Sequence, residues 1–291
     1  MVQIKDVGFI GTGIMGKSML RNLGKNGYTM HCYARHPQKI QDLIQEGVKI
    51  HSSISECVQA CQVMITMVGF PKDVEQVYFS PNAIFDSARA GSYLIDMTTT
   101  SPTLAEKLYK EGKQRGVHVL DAPVTGGDSG AKNGTLSILV GGEKEDYKQM
   151  LPLFKGMGTN INYMGSAGKG QHAKMANQIM IAGALSGVCE ALSYAKANGL
   201  DLETLLKAVS TGAAGSAQLD AFGEKIIQRN YAPGFFLKHF VKDMKLATEE
   251  ADKKGLHLNI LRQVLKEYIE LEKEGKGDLG TQTLITYYQE K

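Results

Sequence analysis

Three glycines near the start of the chain constrain its fold more than any other feature. Gly11, Gly13 and Gly16 form a G-x-G-x-x-G turn between an apolar run that reads as a strand, Val7–Ile10, and an amphipathic helical segment, Met15–Asn26. In this context the first glycine permits a tight turn, the second lets the backbone approach a pyrophosphate, and the third lets the helix pack closely on the sheet. We predict that a dinucleotide binds at Gly11, Thr12, Gly13, Ile14, Met15 and Gly16. The alternatives are a structural turn and the related loop of a methyltransferase.

The first half of the chain alternates apolar runs with helical segments. Besides Val7–Ile10, the predicted strands are Thr29–Ala34, Gln62–Val68, Ser92–Met97, Val117–Val124 and Leu136–Gly142. Such alternation predicts βαβ units and a mostly parallel, doubly wound sheet of the Rossmann type. We place this domain at residues 1–164.

The second half, residues 165–291, shows no convincing strand and is predicted to be all-helical. It starts with a long Ala- and Gly-rich helix, followed by the segments Leu202–Ser210, Ala217–Gln228, Lys238–Lys253 and Asn259–Glu274. The predicted fold class is therefore α/β, with an N-terminal Rossmann-type sheet joined by a long helix to a C-terminal helical domain for substrate binding and oligomerisation.

Composition narrows the function classes. The net charge of +3 argues against a dedicated nucleic-acid binder. Met175–Ala195 is long enough to span a bilayer, but it contains Asn177, Gln178 and Glu190, so we interpret it as a buried helix rather than a membrane span. The cysteines form neither a disulfide framework nor a zinc motif, and the N-terminus has no charged leader. We expect a cytoplasmic protein without a metal site.

The end of the second predicted strand indicates which dinucleotide binds. An acid there would accept hydrogen bonds from the adenosine ribose of NAD(H), but the chain has Arg35, and its next acid is Asp42, well into the following helix. A guanidinium suits a 2′-phosphate and also stacks on adenine. We predict that NADP(H) is favoured and that NAD(H) is possible. The alternative is an arginine that only covers adenine and tolerates both cofactors.

Four further stretches make the pattern specific: DMTTTSP (96–102), DAPVTGGDSGAKNGTLSILVGG (121–142), GKGQHAKMANQ (168–178) and FFLKHFVKDMKLA (235–247). Together with the glycine turn, and in this order, they resemble the β-hydroxyacid dehydrogenase family, which includes 3-hydroxyisobutyrate dehydrogenase, tartronate semialdehyde reductase and glyoxylate/succinic semialdehyde reductases. The resemblance covers essentially the whole chain.

The resemblance implies that Lys174 is the catalytic residue. Chemistry agrees, because hydride transfer to a carbonyl carbon builds negative charge on the oxygen, and a lysine ammonium on a rigid helix can stabilise that charge and donate the proton. Asn177 and Gln178 follow on the same helix face. Many relatives have an asparagine four residues after the lysine, where this chain has Gln178. We favour Asn177 over Gln178 as the group that helps to position the substrate oxygen.

The remaining candidates come from the same resemblance. Thr125, Gly126 and Gly127 resemble the family's Ser-Gly-Gly loop that holds the substrate carboxylate, with threonine in place of the usual serine, and their hydroxyl and backbone N–H groups suit an anion. The resemblance implies that Phe235 and Asp243 contact the substrate. It also implies that Thr99 and Lys242, and more weakly Val68, contact the cofactor. Ser101 is expected to cap the next helix, with Pro102 in its first turn.

The sequence thus predicts an NAD(P)-dependent oxidoreductase that interconverts a short β-hydroxyacid and its semialdehyde, with a small carboxylate-bearing substrate. An imine reductase on the same scaffold and a non-catalytic nucleotide-binding module are the alternatives; the retained Lys174 argues against the former and the intact motifs against the latter. The long Ala- and Gly-rich helix favours a homodimer or homotetramer.

Overall fold

The computed structural model describes residues 4–289, and among them nine strands form one sheet. In chain order the strands are β1 (Asp6–Ile10), β2 (Thr29–Tyr33), β3 (Lys49–His51), β4 (Val63–Thr66), β5 (Tyr93–Asp96), β6 (His118–Asp121), β7 (Val124–Thr125), β8 (Leu136–Gly141) and β9 (Gly158–Gly165). Their order across the sheet is β3-β2-β1-β4-β5-β6-β8-β7, and β9 pairs with β8.

Strands β1 to β6 pair parallel to one another, whereas β8 runs antiparallel to β6 and β7 and parallel to β9. The order 3-2-1-4-5-6 of the first six strands is that of doubly wound dinucleotide-binding sheets, in which ligands bind beyond the carboxyl ends of the strands. The predicted α/β fold class with a Rossmann-type sheet and a helical second half is confirmed.

Helices connect the strands and make up most of the described residues after β9. They are α1 (Ile14–Lys25), α2 (Gln41–Gln45), α3 (Ile54–Gln59), α4 (Pro71–Phe79), α5 (Ile84–Ser87), α6 (Pro102–Gln114), α7 (Gly127–Asn133), α8 (Lys144–Lys155), α9 (Lys169–Ala197), α10 (Leu202–Val209), α11 (Ala217–Ile227), α12 (Leu237–Lys253), α13 (Asn259–Lys273) and α14 (Ile285–Gln289). As predicted, the Ser101 hydroxyl caps α6 by accepting a 3.0 Å hydrogen bond from the Leu104 N–H, with Pro102 in the first turn.

Both faces of the sheet are buried, because successive residues of a strand point to opposite faces. Phe9 and Ile65 belong to one apolar cluster, while their neighbours Ile10 and Met64 belong to another. This explains why the central strands read as continuous apolar runs in the sequence.

The chain divides into two compact units between Lys174 and Met175, within helix α9. The second unit has its own core, in which Phe240 of α12 packs edge-on against Tyr268 of α13. The domain boundary predicted between residues 164 and 165 stays a prediction. Of the helices among residues 4–289, α9 alone is long and apolar enough to cross a membrane, and 44% of its most apolar window is buried.

Two strands and one strand break differ from the sequence prediction. β3 and β9 were not predicted, and the predicted strand Val117–Val124 is two strands, β6 and β7. Pro123 lies at the break, where its missing N–H cannot join a ladder of hydrogen bonds. After the break, β7 pairs with β8 and is followed by α7, which begins at Gly127.

Candidate active site

The glycine turn links β1 to α1 with the geometry that a dinucleotide needs. Gly11 has a φ of +103°, and a Cβ there would lie 2.1 Å from the Met67 carbonyl oxygen. A Cβ at Gly16 would lie 1.9 Å from the Gly11 carbonyl oxygen, so neither position admits a side chain. A Cβ at Gly13 would meet nothing within 4 Å. Gly13 therefore leaves open space at the start of the helix.

The start of α1 suits an anion electrostatically. The helix is 12 residues long, has no acid in its first turn, and starts after Gly13, which has no side chain to occupy the free N–H groups. Those N–H groups and the helix dipole favour negative charge. The residues at this turn fit a dinucleotide pyrophosphate, with Thr12 and Met15 half-buried and Ile14 exposed beside it.

Arg35 is exposed two residues beyond the end of β2. The first acid after it, Asp42, is already engaged: its Oδ2 lies 2.6 Å from the Lys17 Nζ and 2.5 Å from the Arg21 Nη2, both on α1. The hydrogen bond from Lys17 lowers the pKa of the Asp42 carboxyl below its usual value. The Asp42 carboxylate is therefore occupied by its ion pairs with α1, and we do not expect it to accept hydrogen bonds from a cofactor ribose.

The carboxyl ends of β4 and β5 are tied together around a buried acid. The Asp96 Oδ1 accepts hydrogen bonds from the Thr66 hydroxyl (2.7 Å) and the Thr98 N–H (3.2 Å). The Thr98 hydroxyl in turn accepts from the Val68 N–H at 3.0 Å. Burial raises the pKa of Asp96 to about 6. Val68 and the loop that carries Thr99 are thus held in one network.

A second buried acid, Asp121 at the end of β6, holds the start of α9. Its Oδ1 accepts from the Gly168 N–H at 2.8 Å, and its Oδ2 accepts from the Gln171 N–H at 2.9 Å. Burial raises the pKa of Asp121 to about 6, although these backbone hydrogen bonds act in the opposite direction. The Asp121 carboxyl therefore caps the N-terminus of α9, although Asp121 itself belongs to β6.

Helix α9 carries Lys174 one turn after this anchor. The Lys174 side chain is only 7% exposed. In the same unit, the turn from β7 into α7 has a half-buried Thr125 at the end of the strand, followed by exposed Gly126 and Gly127 with φ values of +126° and +63°. The first unit thus holds the glycine turn, the predicted carboxylate loop and the predicted catalytic lysine.

A chain of hydrogen bonds in the second unit joins most of the other candidates. The Asn177 Nδ2 donates to the Gln178 Oε1 at 2.8 Å, and the Gln178 Nε2 donates to the Asp243 Oδ2 at 2.6 Å. The Lys242 ammonium forms an ion pair with the other Asp243 oxygen at 2.9 Å. Gln178 is 1% exposed and Asn177 is half-buried. Phe235 has no part in this series of hydrogen bonds; its ring packs edge-on against that of Phe240.

Sequence reasoning missed Asp96, Asp121 and Gln171 as organising residues. Asp96 and Asp121 begin the motifs DMTTTSP and DAPV, and each ends a buried strand. An acid at that place in two neighbouring strands is a signal that could have identified both, because the carboxyl ends of parallel strands meet at one edge of the sheet. No local pattern indicates the bonds of Gln171, whose partners lie elsewhere in the chain.

Comparisons with known proteins agree with this geometry. Residues 6–165 match the family model of the NAD binding domain of 6-phosphogluconate dehydrogenase, and residues 168–288 match the model described as NAD-binding of NADP-dependent 3-hydroxyisobutyrate dehydrogenase. A probable 3-hydroxyisobutyrate dehydrogenase-like protein 1 of Arabidopsis thaliana, named mitochondrial, is 44% identical over 96% of this chain and 84% of its own length. The 2-hydroxy-3-oxopropionate reductase of Escherichia coli is 36% identical over 87% of this chain and 86% of its own.

Among solved structures, Psf3 in complex with NADP+ and 2-OPP superposes with a TM-score of 0.90 at 25% identity, over 97% of this chain and 99% of that one. The two family models together span nearly all of residues 6–288. The chain belongs to the β-hydroxyacid dehydrogenase family and is an NAD(P)-dependent hydroxyacid dehydrogenase.

Proposed function

We propose that the chain interconverts a short β-hydroxyacid and its semialdehyde, with Lys174 as the general acid and base. The observation that carries this proposal is a buried lysine on an anchored helix, within the unit that also holds the glycine turn. A bound nicotinamide cofactor supplies the hydride for reduction or accepts it in oxidation. Lys174 donates its proton to the carbonyl oxygen during reduction and takes the hydroxyl proton during oxidation.

The loop of Thr125, Gly126 and Gly127 is proposed to hold the substrate carboxylate. Exposed glycine N–H groups and one hydroxyl can donate hydrogen bonds to a carboxylate. An anchored carboxylate fixes the carbonyl carbon at a set distance from the reacting groups, and such orientation contributes strongly to rate. The E. coli relative's name, 2-hydroxy-3-oxopropionate reductase, supports a short semialdehyde acid as substrate.

Asn177 is proposed to assist Lys174, and Gln178 to organise the second unit. Both ends of the Gln178 amide are engaged, by Asn177 and by Asp243, and its side chain is buried. The half-buried Asn177 donates one side-chain N–H to Gln178, and its side-chain carbonyl oxygen is proposed to accept a hydrogen bond from a substrate hydroxyl. The contacts proposed for Phe235 and Asp243 with substrate, and for Thr99, Val68 and Lys242 with cofactor, rest on the family motifs.

NADP(H) is the proposed preferred cofactor. Its support is the exposed Arg35 at the end of β2, together with the engagement of Asp42 by Lys17 and Arg21. The NADP+ bound in Psf3 is consistent with this choice. We further propose a homodimer or homotetramer, which the exposed apolar side chains on α9 support. The cytoplasmic location is a proposal from the sequence alone.

The test of Lys174 compares two lysines of helix α9. Lys174→Ala is expected to lower kcat about 100- to 10,000-fold, because it removes the proton donor, while the Kd for NADPH stays close to wild type. Lys169→Ala, at an exposed position on the same helix, should keep kcat. The assay follows loss of NADPH absorbance with succinic, tartronate and methylmalonate semialdehydes and glyoxylate. Substantial turnover by Lys174→Ala would remove the lysine from the mechanism.

A further inference from the structure

Gln171 uses its whole side-chain amide to join α9 to the loop after β5. Its Nε2 donates to the Thr98 carbonyl oxygen at 2.8 Å, and its Oε1 accepts from the Thr100 N–H at 3.0 Å. The side chain is completely buried, and the Gln171 N–H is held by Asp121. The backbone on both sides of Thr99 is therefore fastened to one residue of the helix.

The same loop is fastened at its other side to the sheet. The Thr98 hydroxyl accepts from the Val68 N–H, and the Thr98 N–H donates to Asp96. Gln171 thus links this network to α9, and Lys174 follows it by three residues, about one turn of the helix. A shift of the Gln171 amide would therefore move the backbone of Thr98 and Thr100, which flank Thr99, relative to the lysine.

We propose that Gln171 is a positioning residue, which sets the distance between the Thr99 loop and Lys174. The inference rests on the proposed function, in which Thr99 contacts the nicotinamide half of the cofactor and Lys174 transfers the proton. Hydride and proton must reach adjacent atoms of one carbonyl group, so the two elements that hold them need a fixed separation. A misplacement of about 1 Å can cost about 100-fold in rate.

A packing role alone does not account for a glutamine at this place. An apolar side chain of equal size would fill the same volume, and burying an amide costs free energy unless its hydrogen bonds are made. The amide here makes both bonds, and both go to backbone atoms of one loop. That geometry fixes the orientation of the loop as well as its distance from α9.

The test replaces Gln171 with methionine, which keeps the length and removes both hydrogen bonds. The expected result is an about 10- to 100-fold lower kcat, because a displacement of the loop by up to about 1 Å would misalign hydride and proton transfer. The isotope effect measured with NADPH deuterated at the transferred position should become larger. The Kd for NADPH, measured by fluorescence, should stay within about threefold of wild type, because the glycine turn and Arg35 are on other elements. Hydrogen exchange in a peptide that contains Thr100 should become faster.

Gln282→Met is the matched control. Gln282 is as buried as Gln171, and its Nε2 donates to the carbonyl oxygens of Asn230 (2.9 Å) and Ala232 (3.1 Å) in the second unit. This variant should lose thermal stability yet keep its kcat and the exchange rate of the Thr100 peptide. If Gln171→Met fails to fold, Gln171→Asn is used, since its shorter amide reaches at most one partner and should lower kcat less.

Two outcomes overturn the inference. One is unchanged hydrogen exchange at Thr100 in Gln171→Met, and the other is a kcat equal to that of Gln282→Met at equal thermal stability. The proposed function fails separately, through an active Lys174→Ala. A fully active Gln171→Met beside an inactive Lys174→Ala would refute the positioning role alone.

Discussion

Asp96 and Asp121 are register partners at the ends of β5 and β6, but their carboxyl oxygens are satisfied differently. Both oxygens of Asp121 accept hydrogen bonds from backbone N–H groups, those of Gly168 just before α9 and of Gln171 in its first turn. The Asp96 Oδ1 accepts two hydrogen bonds, whereas its Oδ2 has no hydrogen-bond partner among residues 4–289. Burial raises the pKa of Asp96 to about 6, as it does that of Asp121, so the main cause is loss of water around the charge and not the missing partner at Oδ2.

Asp96→Asn should change how stability depends on pH. The Asp96 pKa is about 6 in the folded chain and about 3.9 in an unfolded one, so the folded state binds the extra proton between these values. Wild-type stability from this group is therefore present below about pH 4 and lost as the pH rises to about 6. Relative to wild type, the variant should gain up to about 3 kcal/mol in free energy of unfolding over that range. Urea unfolding at pH 4 and 7 measures this; a constant difference would contradict it.

Arg35→Ala tests cofactor choice at a single exposed residue. Removing the guanidinium should lower kcat/KM with NADPH about 10- to 100-fold, because a charge-assisted contact with the 2′-phosphate contributes about 1.5–3 kcal/mol. The efficiency with NADH should change little. Arg89→Ala, at an exposed arginine before β5, is the control and should leave both values unchanged. A wild-type enzyme that prefers NADH would refute the proposed role of Arg35.

At the scale of elements, the start of α9 depends on close backbone packing. A Cβ at Gly170 would lie 2.4 Å from the Leu139 carbonyl oxygen and 2.7 Å from the Asp121 Oδ2. The first turn of the helix therefore lies directly against β6 and β8, where Asp121 can reach its N–H groups. Glycine is a poor helix former, so its presence here is explained by contact and not by helix propensity.

Gly170→Ala should destabilise the fold by about 2 kcal/mol or more, since the neighbouring backbone cannot move aside cheaply. Gly24→Ala, in the last turn of α1, is the matched control: Gly24 is exposed, and its added Cβ would meet only Met30 Cγ at 3.6 Å. It should stabilise by about 0.5–1 kcal/mol through helix propensity. Thermal unfolding of both variants measures the contrast. Equal effects would show that the close contact at Gly170 relaxes.

The central strands, the glycine turn and the helix cap at Ser101 could be predicted because their signals are local. β3 and β9 could not be predicted in this way. β3 has only three residues, and β9 (GTNINYMG), which pairs with β8, has mostly half-buried or exposed residues and therefore no apolar run. The Gln171 bonds reach residues 71 and 73 positions away, and the Asp121 bond to Gln171 spans 50. Such pairs depend on how strands and helices pack, which no window of sequence contains.

At the scale of the whole molecule, the long helix presents apolar residues to solvent. Met180 is 68% exposed, Tyr194 is 70% exposed, and Gly187 lies exposed between them. The three are seven residues apart, so they lie along one face of α9. Seven-residue spacing of apolar and small residues is typical of a helix that packs against another helix. We expect this face to meet a second copy of the chain.

Tyr194→Glu, alone or with Met180→Glu, should therefore weaken self-association. A carboxylate placed against an apolar partner would be buried without compensation, which costs several kcal/mol at each copy. Light scattering of the wild type should give at least twice the 31.6 kDa mass of one chain, and the variants should shift towards that single mass. Ile44→Glu, at a half-exposed isoleucine on α2 in the first unit, is the control and should keep the wild-type mass. A monomeric wild type, or a double variant that stays associated, would show that this face of α9 is not the interface.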